Sequence, residues 1–408
     1  MDTSRCLAVV QAGGQGSRME VLTRERAKPA LPFAGSYQLV DFPLSNLHHS
    51  GIDRVWLCLQ YQADSLHDVV ANGRPWDLDR TRGGLRLVFP QEEPGSAEDH
   101  GFATGNADQL FRIRADIGRA GVDAVLVMSA DHVYQLDYTE VLRTHLDAGA
   151  ECTVVTTTCG KQEASSHATV VADDRGRVSD IAYKPEKPTT TVIATEVFVY
   201  DAALLVQALE ELQSRTTHDA EDGDTGLGDF GEHLLPWFVD RGKTVAHAMD
   251  GYWMDVGRPE TYLQAHRDLI EGHVDVFRAD RPVLTQQPQR APAWIAEGST
   301  VVDGLVSNGC RIEGTVRRSV LGPGVVVERG AEVTDSVIFR DTVVRAGARV
   351  SWSIVDEEVV VGRDASVGGR PRGRPVESER ITLVGARVRV TGGHDVPLGA
   401  RVEPGRRV

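Results

Sequence analysis

Over roughly the first 270 residues, short apolar runs alternate with amphipathic stretches. The run 6–11 stops at Ala12-Gly13-Gly14, which predicts a buried strand ending in a glycine turn. Residues Arg54–Leu59 and 124–128 repeat the pattern, each closing near polar residues, and Ala63–Val70 and 107–117 read as helices between them. Strands alternating with helices at this spacing predict an α/β domain, Rossmann-like, with a mostly parallel sheet covered on both faces. Ligands of such sheets sit beyond the C-terminal strand ends, where the polar residues fall.

The pattern changes after about Arg281. Residues 282–292 carry several Pro and Gln and read as a linker. Beyond Val301 the aliphatic residues recur six apart, at Val320 and Val326, at Ile338, Val344 and Val350, and at Ile354 and Val360. Gly324 and Gly330, then Gly362 and Gly368, keep the same step. A six-residue period with turn glycines predicts a parallel β-helix of hexapeptide-like repeats, expected to be left-handed, rather than an irregular β-sandwich. The predicted boundaries are 1–275 for the α/β domain, 276–298 for the linker and 299–408 for the β-helix. The Gly-, Arg- and Pro-rich stretch 368–408 reads as a tail with poorly ordered final residues.

Composition narrows the function. A chain of 408 residues exceeds one ordinary core, and 41% hydrophobic with 25% charged residues is the balance of a soluble globular protein. A net charge of -15 argues against a nucleic-acid surface but not against anionic small substrates met by a local basic cluster. No apolar run approaches the roughly 20 residues of a membrane span, and the N-terminus lacks a signal-peptide cleavage pattern. Five scattered cysteines, with no Cys-x-x-Cys pair, read as reduced core thiols in a cytoplasm.

The first strand runs directly into Gly13-Gly14-Gln15-Gly16-Ser17-Arg18. Glycines there let backbone N–H groups approach an anion, and a following helix would add its positive end. Neither the Walker loop nor the dinucleotide fingerprint fits. Taken alone, Gly-Gly-x-Gly is equally a plain tight turn. The continuation Arg26-Ala27-Lys28-Pro29-Ala30 raises the reading: Lys28 precedes a proline and is expected on a stiff, extended segment, and Arg18 supplies a forked donor. Arg26 reads as a solvated surface residue.

The segment 13–51, with Ala27-Lys28-Pro29-Ala30 and Val40-Asp41-Phe42-Pro43-Leu44-Ser45-Asn46, resembles the N-terminal signature of ADP-glucose pyrophosphorylases, that is, glucose-1-phosphate adenylyltransferases. The likeness continues through Gln60-Tyr61-Gln62, Asp131-His132-Val133-Tyr134, Asp229-Phe230-Gly231 and Tyr252-Trp253-Met254-Asp255-Val256-Gly257, nearly the whole chain. The resemblance implies transfer of an adenylyl group from ATP to a sugar 1-phosphate, Mg²⁺ as cofactor, and a homo-tetramer. It makes Asp131 and Asp255 the metal ligands, although an Asp after a strand is by itself more often a turn residue. It makes Arg18 and Lys28 the phosphate-facing cations, and Gly13, Gly14, Gly16, Ser17 and Gly105 part of the nucleotide site. Gln60 and Gln91 become base-reading amides, with exposed loop amides the equal alternative.

The sugar pocket departs from the family. Where Tyr-Arg-Gly-Thr-Ala-Asp-Ala is usual, this chain reads Ala103-Thr104-Gly105-Asn106-Ala107-Asp108-Gln109, and a Phe-Gly pair becomes His167-Ala168. Glu-Lys-Pro becomes Tyr183-Lys184-Pro185, with Lys184 kept as the sugar-phosphate clamp, and Glu196 replaces a glycine. With Asp229, the residues Ala168, Tyr183, Lys184 and Glu196 are expected to form the sugar-phosphate site. Unpaired sugar hydroxyls would cost about 1–3 kcal/mol each in a desolvated pocket, and Glu196 suits an amine. The expectation is therefore a hexose 1-phosphate, glucose 1-phosphate first, with glucosamine 1-phosphate as the altered alternative. Ser36 and Gln38 stand where many relatives carry effector-binding Lys and Arg, so sugar-phosphate activation through that segment is doubtful.

Two other functions compete. A non-catalytic regulatory subunit would fit the altered pocket, but the intact Gly13 loop, Lys28, Asp131 and Asp255 oppose it. An acyltransferase β-helix would need a histidine within the coils, and none lies between Val301 and Gly368.

Overall fold

The computed structural model describes residues 3–14, 16–90, 103–216, 225–275, 277–371 and 377–408. The run 6–11 forms strand β1 (Cys6–Ala12), in which every residue is buried, as expected for a strand covered on both faces. It pairs in parallel with β2 (Arg54–Leu59), which pairs in parallel with β3 (Gly84–Val88). On its other side lies β4 (Ala124–Ser129), also parallel.

Beyond this parallel centre the nine-stranded sheet becomes mixed. Strand β5 (Val192–Asp201) runs antiparallel to β4, and further strands complete that side. The two faces bury separate cores. Ala8, Val10, Leu57 and Met128 face one cluster, with Leu66 and Val70 of the helix Ala63–Val70. Their neighbours Leu7, Val9, Cys58 and Val127 face the other, with Leu110, Leu205 and Leu209. The stretch 107–117 divides into two short helices, Asn106–Arg112 and Arg114–Arg119.

The repeats form three six-stranded parallel ladders, the faces of a hexapeptide β-helix. Inward residues stack rung on rung, as in Val327, Val344, Val361 and Val390, all nearly inaccessible. Each coil buries its aliphatics only against the next, which is why the period must persist. The ladder starts at Trp294, paired with Arg311. It also outlasts the expected tail: Thr382–Val384, Arg389–Val390, Asp395–Val396 and Arg401–Val402 are rungs, and residues 377–408 are part of the structure. The step of six resumes at Val384, Val390, Val396 and Val402. Its phase is lost in between, which hid it behind the Gly- and Arg-rich composition.

The two domains share a core. Met19, Leu31, Phe33 and Tyr262 pack with Val320, Phe339, Trp352 and Leu383 of the β-helix. Residues of the expected linker are strapped to the α/β domain: Arg281 pairs with Asp137 at 2.8 Å, and Leu284 N–H donates to Ser45 Oγ. Gln38 is part of this seam, its Oε1 accepting from the Thr285 hydroxyl at 3.1 Å. Charged pairs close the seam, Glu20 with Arg401, Arg24 with Glu403 and Glu25 with Arg387. The last two are exposed and worth about 0–1 kcal/mol each.

Arg26 corrects its sequence reading. Its side chain is 10% exposed and paired with Asp356 and Glu357 of the β-helix. A guanidinium withdrawn from water needs such partners, and only the second domain supplies them.

Candidate active site at the strand ends

Four elements converge beyond the C-terminal ends of β1 and β4. The first is the glycine turn. Gly16 takes φ 64°, and a 3-10 segment, Ser17–Thr23, kinked at Glu20 (φ 52°), follows it. The Thr23 hydroxyl donates back to Gly16 O at 2.8 Å and ties the turn shut. Gly13 lies against two amides: a Cβ there would sit 3.0 Å from Gln60 and from Gln109 Nε2. Gly14 and Ser17 are open to solvent, as is Arg18.

The second element carries Lys28. It opens a 3-10 turn, Lys28–Ala30, and only the preceding Ala27 is extended; the extended segment expected for Lys28 is one residue off. Burial favours the neutral amine, yet Asp131 and Asp255 hold the ammonium above its ordinary pKa. Its Nζ lies 2.7 Å from Asp131 Oδ2 and 3.3 Å from Asp255 Oδ1.

The third and fourth elements hold those two carboxylates. Asp131 follows the end of β4, and the Ser129 hydroxyl donates to its Oδ1. The next strand, His132–Tyr134, pairs antiparallel with Trp253–Asp255, which sets Asp255 opposite His132. This two-stranded ribbon, not sequence proximity, brings the carboxylates together. Burial pushes both up, but Lys28 and then His132 hold each below the ordinary aspartate range. Two ionised carboxylates with hard oxygen donors, aimed at one cation, suit a small divalent metal.

Gly257, which closes the Tyr252–Gly257 motif, is glycine for a steric reason. A Cβ there would meet Asp255 Oδ1 at 2.9 Å, Arg18 Nη2 at 3.0 Å and Lys28 Nζ at 3.2 Å. Gly105 has a different one: its Cβ would overlap the backbone of Gly228 at 2.3 Å. That close approach carries Asn106–Arg112 and sets Gln109, buried with Oε1 unpartnered among the described residues, beside Gly13. Gln91 lies outside the described residues.

A cleft adjoins this centre, lined by His167, Ala168, Tyr183, Lys184, Glu196 and Asp229 among others. The Tyr183 hydroxyl donates to Asp229 Oδ2, and the Lys184 ammonium donates to the Tyr183 oxygen and lies 3.7 Å from Asp229. Lys184 itself takes a left-handed backbone, φ 43°. So does Glu196, φ 58°, inside a bulge of β5 where the register slips between Ala194 and Phe198. Burial raises the Glu196 carboxyl above the usual range, and nearby Asp131, Asp255 and Asp229 add to it.

His132 joins the two halves, although sequence reading gave it no role. It is buried, with Nε2 3.6 Å from Asp131, 3.8 Å from Asp255 and 4.0 Å from Glu196. His167 stands edge-on to Trp253, and burial brings it down to about 4.

The fold, with cations and carboxylates gathered beside a glycine turn at the strand ends, is that of a nucleotidyltransferase. Comparison agrees: residues 7–272 match the family described as "Nucleotidyl transferase", and residues 293–376 match "GlmU-like, C-terminal hexapeptide". Proteins named glucose-1-phosphate adenylyltransferase from Bacillus thuringiensis (strain Al Hakam), Bacillus mycoides (strain KBAB4) and Bacillus anthracis are each 34% identical over 337 residues, 82% of this chain and 87% of theirs. The chain belongs to the glucose-1-phosphate adenylyltransferase family. No helix among the described residues is long and apolar enough to cross a membrane.

Proposed function

We propose that the chain transfers the adenylyl group of ATP to glucose 1-phosphate, giving ADP-glucose and pyrophosphate. One observation carries the reading: a buried Lys28 ammonium held between two ionised carboxylates, Asp131 and Asp255, beside a glycine turn. A phosphate oxygen of the sugar bonds to the α-phosphorus as the bond from that phosphorus to the pyrophosphate oxygen breaks. Positioning and charge neutralisation do most of the work in such a transfer. Arg18 and Lys28 meet the phosphate oxygens, and the backbone of Gly13, Gly14, Gly16 and Ser17 lines the chain of phosphates. Gln60 and Gln91 read the base, and Gly105 belongs to the nucleotide site. Lys184 holds the sugar phosphate, with Tyr183, Ala168, Glu196 and Asp229 around the hexose. Asp131 and Asp255 would hold Mg²⁺, which when bound neutralises phosphate charge.

A second acceptor is favoured by Glu196. A non-glycine residue in a left-handed bulge costs roughly 1–3 kcal/mol and persists where the surroundings demand it. Its carboxylate, crowded by three others, suits an ammonium, and glucosamine 1-phosphate carries one. Retention of Lys28 and both carboxylates favours an enzyme over a regulatory subunit. Five free cysteines fit a cytoplasmic setting, and a homo-tetramer follows the family resemblance.

Pyrophosphate release from purified protein with Mg²⁺, ATP and a panel of sugar 1-phosphates tests all of this. Release with glucose 1-phosphate supports the first reading, and release only with the amino sugar moves the acceptor. Silence with every sugar, and with UTP, GTP and dTTP in place of ATP, leaves the regulatory subunit.

A further inference from the structure

We propose that the β-helix sets the position of the phosphate-binding segment, with Asp356 and Glu357 acting on catalysis as positioning residues through Arg26. Arg26 and Lys28 are separated by one residue, and Lys28 is fixed in a tight 3-10 turn. Arg26 Nη1 lies 2.9 Å from Asp356 Oδ1 and Nη2 lies 3.1 Å from Glu357 Oε2. The guanidinium also stands 5.6 Å from the centre of the Phe339 ring. Asp356 is 3% exposed and Glu357 17%. A guanidinium charge set between two carboxylates and a ring face is held by charge from more than one side, unlike an apolar contact.

The α/β domain grips the same stretch differently. Ala27 N–H donates to Ser65 Oγ, and the Gln62 amide donates to Arg24 O. Those bonds hold the main chain, while both carboxylates paired with the Arg26 side chain come from the second domain. Buried ion pairs are a poor source of stability, since apolar groups of equal volume commonly do as well or better. What this pair adds is direction. A displacement of Arg26 passes across one residue to Lys28, whose ammonium must reach both Asp131 and Asp255. The proposal rests on the proposed function in one respect, that Lys28 meets the phosphates of ATP.

The test uses the full chain and the double variant Arg26→Met with Asp356→Asn. It removes both charges, keeps side-chain volume, and leaves an acceptor for Glu357 N–H, which now bonds Asp356 Oδ1 at 2.7 Å. Glu357 retains Arg340, 2.8 Å away. Thermal melting, MgATP affinity by calorimetry and initial rates against both substrates are measured. The melting point should hold while MgATP affinity and kcat/KM for ATP fall about tenfold or more, with the sugar-phosphate KM within about twofold. The single variant Glu357→Gln should shift the same quantities less, and serves if the double variant fails to fold. A folded variant with MgATP affinity within about twofold of wild type overturns the clamp, as does an equal loss for both substrates. Wild-type chain that binds MgATP but releases no pyrophosphate overturns the proposed reaction, while the calorimetry still judges the clamp. Wild-type chain that binds no MgATP overturns both.

Discussion

The two halves of the proposed active site are built on opposite plans. In the phosphate half, every charged group answers another: Lys28 balances Asp131 and Asp255, and Gly257 leaves room for Arg18 to join them. In the sugar half, Tyr183, Lys184 and Asp229 are spent on one another, and Glu196 sits on an unfavourable backbone with three carboxylates near. In the proposed reaction the first half serves the phosphate chemistry that any acceptor requires. The second is where a choice of acceptor can change without touching that chemistry. Strain and self-pairing are tolerable there because a correct ligand can replace the internal contacts.

That contrast can be broken in four places. Asp131→Asn should lower turnover roughly 10²- to 10³-fold, as expected when transition-state charge loses a preorganised partner. Circular dichroism should report an unchanged fold, and near-normal turnover would remove Asp131 from the reaction. Gly257→Ala is expected next, at about 10²-fold in kcat/KM, because a methyl group would displace Arg18, Lys28 and Asp255 together. An activity within a few-fold of wild type would mean that those three side chains need not converge.

The sugar half should answer more softly. Glu196→Gly relieves a left-handed position worth roughly 1–3 kcal/mol, so the melting temperature should rise by a few degrees. The same variant should lower the preference for glucosamine over glucose 1-phosphate about tenfold, the scale of a hydrogen bond to a charged group. An unchanged ratio would strip Glu196 of any part in acceptor choice. Smallest is Tyr183→Phe, which frees Asp229 and Lys184. It should move the sugar-phosphate KM about threefold, in line with one net hydrogen bond, and leave the ATP KM alone. If both constants move together, the two halves are not independent.

Where the sequence could be read, the signal was local. An apolar run ending in glycine gave β1, and the six-residue step gave the β-helix, because burial on both faces and stacking of coils each impose a period on the chain itself. The step was lost across 368–382, where no regular run of aliphatic residues bridges Val367 and Val384. Asp131 after a strand was legible as a site residue only through motif resemblance, since an Asp there serves equally as a turn former. Gln109 and His132 carried no local mark. Their meaning lies in what stands beside them, Gly13 in one case and both carboxylates in the other.

The amino-acid sequence alone therefore determined the two domain types, the glycine turn and the identity of the charged residues. The tertiary structure decided which of those residues meet. Asp255 reaches Asp131 only because Trp253–Asp255 pairs with His132–Tyr134. Arg26 finds its two carboxylate partners only because Asp356 and Glu357, far along the chain, come to lie beside it. Hydrophobic period is a property of neighbouring residues, whereas the pairing of buried charges depends on where distant segments dock.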